Sequence, residues 1–215
     1  MTTFAPGDGQ PGIDGDAVTV VIACHTEKRW RSLLEAIRSA VEQRPAPAAV
    51  VVSVDHNPAL SERLRASFPG ITVVDNDGAP GASGARNAGA RVASTPFVAF
   101  LDDDAIARPG WLAELLRPLE DASVVGTGGA VAPLWTTRRP PWFPDEFAWV
   151  IGASYTGLPE EPAEIRNVWS ENMAVRRAAF EAVGGFRAGF GKLGNRSRPE
   201  DTDLCIRMAR NGRWM

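Results

Sequence analysis

The feature that most constrains the fold is an alternation of two periodicities through the first half of the chain. "AVTVVIA" (17–23), "AAVVVSVD" (48–55), "ITVVD" (71–75) and "FVAFL" (97–101) are short apolar runs, rich in β-branched residues, with the character of buried strands. Between the first two, "KRWRSLLEAIRSAVEQ" (28–43) places Trp30, Leu33, Leu34, Ile37 and Val41 at helical spacing. "PALSERLRASF" (58–68) and the small-residue stretch "SGARNAGARVAS" (83–94) supply the next two helices. Strands alternating with helices imply right-handed βαβ units and an α/β fold whose mostly parallel central sheet is covered on both faces.

In such sheets ligands bind outside the carboxyl ends of the strands. Those ends carry Cys24, His25, Thr26 and Glu27, then Asp55, His56 and Asn57, then Asp75, Asn76 and Asp77, and finally Asp102, Asp103 and Asp104. Acidic groups therefore collect along one edge. After a further helix over 108–120, the alternation fades into a Pro-, Gly- and Trp-rich stretch expected to hold short strands and loops. Regular structure is expected again at "WSENMAVRR" (169–177), in a short helix at "RAAFEAVGGF", and, after a Gly- and Arg-rich loop (187–198), in the helix "PEDTDLCIRMARNG".

A chain of 215 residues, 44% hydrophobic, suits one domain with an adequate core, expected over 17–215 after a flexible tail at 1–16. Two halves are expected, over about 17–130 and about 131–215. The net charge of -3 gives no general reason to expect nucleic acid as a partner. Cys24 and Cys205 form no CxxC pair, which argues against a zinc site or disulfide framework and suits thiols in a reducing cytoplasm. No apolar run reaches membrane-spanning length, so any membrane contact is expected to be peripheral. With only His25 and His56, a His-based metal site or a Ser–His triad lacks parts.

The triple aspartate raises the sharpest question. Residues i and i+2 of a strand lie about 6–7 Å apart on one face, so Asp102 and Asp104 would repel by about 2–3 kcal/mol at an intermediate dielectric. A solvated turn would explain an isolated run. At this sheet edge, a hard cation such as Mg²⁺ or Mn²⁺, which takes one or two carboxylates plus phosphate oxygens and water, would also offset the repulsion. Asp103 would then point either toward a ribose or back into the scaffold. Arg86, at a helix start in "GASGARNAGA", could bind a phosphate or base, or pair with a neighbouring Asp. The glycines there fit neither the dinucleotide fingerprint nor the P-loop, and tight helix-on-sheet packing accounts for Gly84 and Gly89. In "EDTD" (200–203), capping and the helix dipole explain the acids, Glu200 above all, while a general base is the functional alternative. The tryptophans of 135–169 are individually best read as core, but as a cluster they suit sugar contacts.

Taken in order, "VVIACHTEKR", "VVSVDHNP", "GASGARNAGARVASTPFVAFLDDDA", "ENMAVRRAAFEAVGGF" and "EDTDLCIRMARNG" resemble glycosyltransferase family 2, inverting enzymes of the GT-A fold, from about Val18 to the last residue. The resemblance implies a Rossmann-like three-layer sandwich and a metal-dependent transfer from a nucleoside-diphosphate sugar, a UDP-sugar favoured, to a saccharide or other hydroxyl acceptor. It implies that Cys24, Thr26, Glu27 and Asp55 hold base and ribose, and that Arg86 lies against base or phosphate. It makes Asp102 and Asp104 the DxD pair, with Asp104 the direct ligand of Mn²⁺ or Mg²⁺ and Asp102 reaching ribose or a metal-bound water, and Asp201 the catalytic base; Asp103 is a further candidate for donor binding. Members often continue past the last helix and supply a further ligand, frequently His; no His follows His56, so a truncated chain and a minimal form stay open. The rival is a non-catalytic module that binds sugar nucleotides or glycans. A phosphohydrolase would carry its aspartates after the first strand, where "ACHTE" stands.

Overall fold

The computed structural model describes residues 13–193 and 196–215. Its strands are β1 (Val18–Cys24), β2 (Ala49–Asp55), β3 (Thr72–Asn76), β4 (Phe97–Asp102), β5 (Val124–Gly128), β6 (Asn172–Arg176), β7 (Gly191–Leu193), β8 (Arg196–Arg198) and β9 (Arg213–Trp214). Its α-helices are α1 (Trp30–Val41), α2 (Pro58–Ser67), α3 (Ala82–Arg91), α4 (Trp111–Leu116), α5 (Arg177–Ala182) and α6 (Glu200–Met208). Seven strands form one sheet in the order β3-β2-β1-β4-β6-β5-β9. β3, β2, β1 and β4 run parallel, whereas β6 enters antiparallel to both β4 and β5. The α/β fold with a mostly parallel sheet is the one expected.

Successive residues of a strand face opposite sides, and the core divides accordingly. Val20, Ile22 and Ala99 pack with Leu33 and Ile37 of α1, Leu60 and Leu64 of α2, and Leu112 of α4. Val21, Val98, Phe100 and Met173 pack on the other face with Ala90 of α3, Phe180 of α5, and Leu204 and Met208 of α6. Helix α3 lies close to the sheet: a Cβ on Gly89 would sit 2.4 Å from Val21 Cγ1. Helix-on-sheet packing is thus the use of that glycine.

Strand order reverses beside β1, with β2 on one side and β4 on the other. The crevice at such a switch point lies beyond the carboxyl ends of the two strands that part there. Here these are β1 and β4, whose last paired residues include Ala23 and Asp102. The loop after β1 and the triple aspartate consequently face each other.

Four local expectations change. Of the tail expected at 1–16, residues 1–12 lie outside the described residues; beyond them Asp14 caps a 3₁₀ turn over Gly15–Ala17, Gly15 is buried, and Ile13 packs on the core. The expected helix over 108–120 is α4 followed by a 3₁₀ turn (Arg117–Glu120), because Pro118 has no N–H to continue the α ladder. The Gly- and Arg-rich loop contains the hairpin β7–β8. Beyond β5, the chain has a 3₁₀ segment (Asp145–Ile151) but no sheet strand before β6 among the described residues. Trp142 is 78% exposed there and Trp149 55%, so neither is core.

Candidate active site

Asp102 closes β4 on the face that carries Phe100 and α3. It meets Arg86, whose Nη2 donates to Asp102 Oδ1 at 2.6 Å while its Nη1 donates to Glu200 Oε1 at 3.1 Å. Arg86 is only 5% exposed. Burial works against its charge, but Asp102 and then Glu200 more than offset that, and its pKa is raised. Of the two readings left open for Arg86, the structure shows the pairing. The guanidinium lies beneath the sheet edge, joining the end of β4 to the start of α6, and not out on the edge against a base or phosphate.

After Asp102 the chain turns, with Ala105 N–H donating to Asp102 O at 3.1 Å. Strand geometry therefore does not persist to Asp104. Asp103 is 3% exposed and accepts from Arg29 Nη1 at 2.8 Å; the same nitrogen lies 3.0 Å from Asp104 Oδ2. Burial raises the Asp103 pKa and the Arg29 hydrogen bond opposes the rise. Of the two placements left open for Asp103, the structure shows the one into the scaffold: its carboxyl pairs with Arg29 of the loop after β1. Two arginines, from α3 and from the β1 loop, answer the repulsion that the sequence posed.

The remaining sites divide in the same way. Cys24 is the last residue of β1, which runs one residue further than expected, and its side chain is 3% exposed in the α1–α2 core. Burial, then Asp103 and Asp55, push its thiol up to about 12. The Cys24 thiol is thus a neutral core group that does not face the crevice. Thr26 accepts from Lys28 N–H at 3.3 Å and caps the 3₁₀ turn that begins with exposed Glu27; both stay at the crevice. Asp55 accepts from Asn76 Nδ2 at 2.7 Å, Gly81 N–H at 2.8 Å and His56 Nδ1 at 2.9 Å, so it organises the loop leading into α3. Asp201, in the first turn of α6, accepts from Thr202 N–H at 2.7 Å, and no cation pairs with it among the described residues.

One acidic residue was not anticipated. Glu171 immediately precedes β6, where the register Phe100↔Met173 and Leu101↔Asn172 sets it opposite Asp102 at the next step. Its Oε1 is buried without a hydrogen-bond partner. Burial and then the Asp102 charge push its pKa up to about 7, with Arg86 opposing and Asp104 and Asp201 adding smaller increments. Next to it, Asn172 accepts from Trp111 Nε1 at 2.8 Å and donates to Ala130 O at 3.1 Å, which fixes the strand end. The only sequence signal was an acid directly before an apolar run, which also describes any solvated strand end.

Among the described residues no three acidic, imidazole or thiol groups converge tightly enough to hold a cation alone. Mg²⁺ or Mn²⁺ takes few protein oxygens and completes its shell from phosphate and water. Asp102 and Asp104 each engage an arginine through one carboxylate oxygen, and Asp104 is half exposed. The residues present therefore fit a hard divalent cation shared with a ligand. A separate cavity of about 180 Å³, lined by His56, Asn57, Pro58, Glu62, Arg65 and Asp75, opens beyond β2 and β3, away from these acids.

Known proteins resemble this chain in sequence and in fold. Residues 19–184 match the family described as Glycosyl transferase family 2. A glucosyl-dolichyl phosphate glucuronosyltransferase of Haloferax volcanii is 33% identical over 196 residues, covering 89% of this chain and 63% of its own length. A pre-mycofactocin glycosyltransferase of Mycobacterium tuberculosis is 29% identical over 143 residues, or 66% of this chain and 29% of its own. The chain thus spans less than two thirds of these relatives. A mannosyltransferase of Pyrobaculum calidifontis, solved with GDP-Man and Mn²⁺, superposes with a TM-score of 0.63 at 20% identity, covering 96% of this chain and 57% of that one. GalNAc-T7, solved with UDP, GalNAc and Mn²⁺, gives 0.66 at 21% identity, covering 92% of this chain and 41% of that one. The α/β sheet with its acid-lined switch point is the GT-A fold, and the chain belongs to glycosyltransferase family 2.

Proposed function

We propose that this glycosyltransferase moves a sugar from a nucleoside-diphosphate sugar, a UDP-sugar favoured, to a hydroxyl acceptor with inversion at the anomeric carbon. The observation that carries the reading is the link Asp102–Arg86–Glu200, which brings the carboxyl end of β4 and the first turn of α6 to one crevice. Asp201 is the base: it takes the acceptor hydroxyl's proton as that oxygen bonds to the anomeric carbon and the carbon–diphosphate oxygen bond breaks, its electron pair leaving with the diphosphate. Asp102 and Asp104 hold Mn²⁺ or Mg²⁺, which when bound supplies positive charge against the leaving diphosphate. Thr26, Glu27 and Asp55 line the side of the crevice assigned to base and ribose.

The relatives support the reading in kind. The haloarchaeal relative is named for a lipid-phosphate-linked acceptor, and the two solved neighbours carry guanosine and uridine nucleotides with Mn²⁺. The exposed Trp142 and Trp149 suit acceptor-side or peripheral membrane contact, and no described helix is long and apolar enough to cross a membrane. A cytoplasmic setting accords with two free, buried cysteines. The test is a panel of UDP-, GDP-, ADP- and dTDP-sugars, assayed for slow donor hydrolysis with Mn²⁺, Mg²⁺ or EDTA. One nucleotide class is expected to be hydrolysed only with metal, and hydrolysis untouched by EDTA would remove Asp102 and Asp104 from their role.

A further inference from the structure

Glu171 stands apart from the other acids of the crevice. Arg86 serves Asp102 and Glu200, and Arg29 serves Asp103 and Asp104. Glu171 has no cation within salt-bridge distance among the described residues, and one of its oxygens is buried with no hydrogen bond at all. A buried acceptor left unmade costs stability, and an acid facing other acids costs more. A scaffold with no use for it would be more stable with an apolar or amide side chain.

Its surroundings hold it in place. The β4–β6 register sets Glu171 beside Asp102, on the face that also carries Arg86 and Glu200, and Asn172 locks the strand end through Trp111 and Ala130. On the other side Gly152, at φ +72°, passes so close that a Cβ there would lie 3.2 Å from both carboxylate oxygens. Only a glycine allows that approach in a left-handed conformation without pressing on the carboxylate.

We propose that Glu171 holds the donor sugar, its carboxylate accepting a hydrogen bond from a sugar hydroxyl. An ionised carboxylate is acceptor-only, which matches a hydroxyl donor. A sugar attached to a diphosphate clamped at Asp102 lies beside the end of β4, where the β4–β6 register brings Glu171. The inference rests on the donor reading above and extends it to the sugar itself.

The test compares a nucleoside diphosphate with its sugar nucleotide in the presence of Mn²⁺, using UDP with UDP-glucose and UDP-glucuronic acid, and GDP with GDP-mannose, by calorimetry on the wild-type chain and on Glu171→Gln. The glutamine keeps the shape and removes the charge. For the pair that binds, Glu171→Gln is expected to weaken the sugar nucleotide at least tenfold while leaving the diphosphate within twofold, with a melting temperature no lower than wild type. Equal weakening of both ligands, no weakening, or a loss confined to the KM of the acceptor each overturns the proposal and leaves the donor reading standing. Failure of every pair to bind the wild-type chain overturns both.

Discussion

Two acidic runs that look alike in the sequence are used differently by the fold. In "LDDDA" every aspartate meets a guanidinium: Asp102 that of Arg86, and Asp103 and Asp104 that of Arg29. In "EDTD" the acids are sorted. Glu200 shares Arg86, and Asp203 is held by Arg187 at 3.0 Å and Arg207 at 2.8 Å, while Asp201 engages only the adjacent backbone amide among the described residues. A carboxylate that must take a proton from a substrate cannot be committed to an arginine, whereas one that binds charge through one oxygen can be steadied through the other. On the proposed function the runs differ as a clamp differs from a base, and Arg86 pairs with an acid of each.

The comparison breaks most decisively at Asp201. Asp201→Asn is expected to lower kcat by about 10²–10⁴-fold, the usual worth of a positioned base, with nucleoside-diphosphate affinity unchanged in an equilibrium titration. Equal loss of both would return Asp201 to a capping role. Next is the tie itself. Arg86→Met leaves Asp102 and Glu200 facing each other beside Glu171, and breaking a buried pair from one side costs about 3–5 kcal/mol. Urea unfolding of the metal-free chain measures it, and a loss below about 1 kcal/mol, as for an exposed pair, would mean that the runs are independent.

A smaller effect is expected at the clamp. A ligand at a hundredfold excess over its Kd stabilises the folded state by about 2.7 kcal/mol. In a thermal-shift assay the binding nucleoside diphosphate should confer that gain only with Mn²⁺ or Mg²⁺. EDTA or Asp102→Asn should abolish it, whereas Asp203→Asn should leave it intact. If Asp203→Asn also abolished it, the two runs would form one site without division of labour.

The first four strands and three helices were legible because their apolar periods are long enough to decide. The later elements were not. β5 is five residues with two glycines, and Trp214 of the two-residue β9 packs where a Gly126 side chain would be, 2.3 Å from its Cβ position. Such strands are defined by partners distant in sequence, not by their own pattern. The same holds in the site. Asp102 was legible from the β4 period, but the direction of Asp103 depends on Arg29, 74 residues away. Cys24 was misplaced because a one-residue extension of a strand turns a side chain from edge to core. Glu171 escaped because its burial follows from β6 inserting antiparallel between β4 and β5, a crossing that no local period announces.

That unanticipated acid gives the smallest effect and a pH dependence of definite sign. The Glu171 carboxyl titrates near its ordinary 4.5 in the unfolded chain and is pushed up to about 7 when folded. Between those values the folded state binds the extra proton, so stability falls as pH rises through the window and is highest, on this account, below it. The shift sets an upper bound of about 3 kcal/mol at 1.36 kcal/mol per unit, and solvent screening at this partly exposed group reduces it to about 1 kcal/mol. For a chain of this size that is about 2–4 °C in melting temperature. Other groups titrate in the same range, so the measurement is the difference between wild type and Glu171→Gln in metal-free buffer. The gap in melting temperature should widen in favour of Glu171→Gln from pH 4.5 to pH 7. A constant gap would mean that Glu171 is solvated like the exposed acids and belongs with neither run.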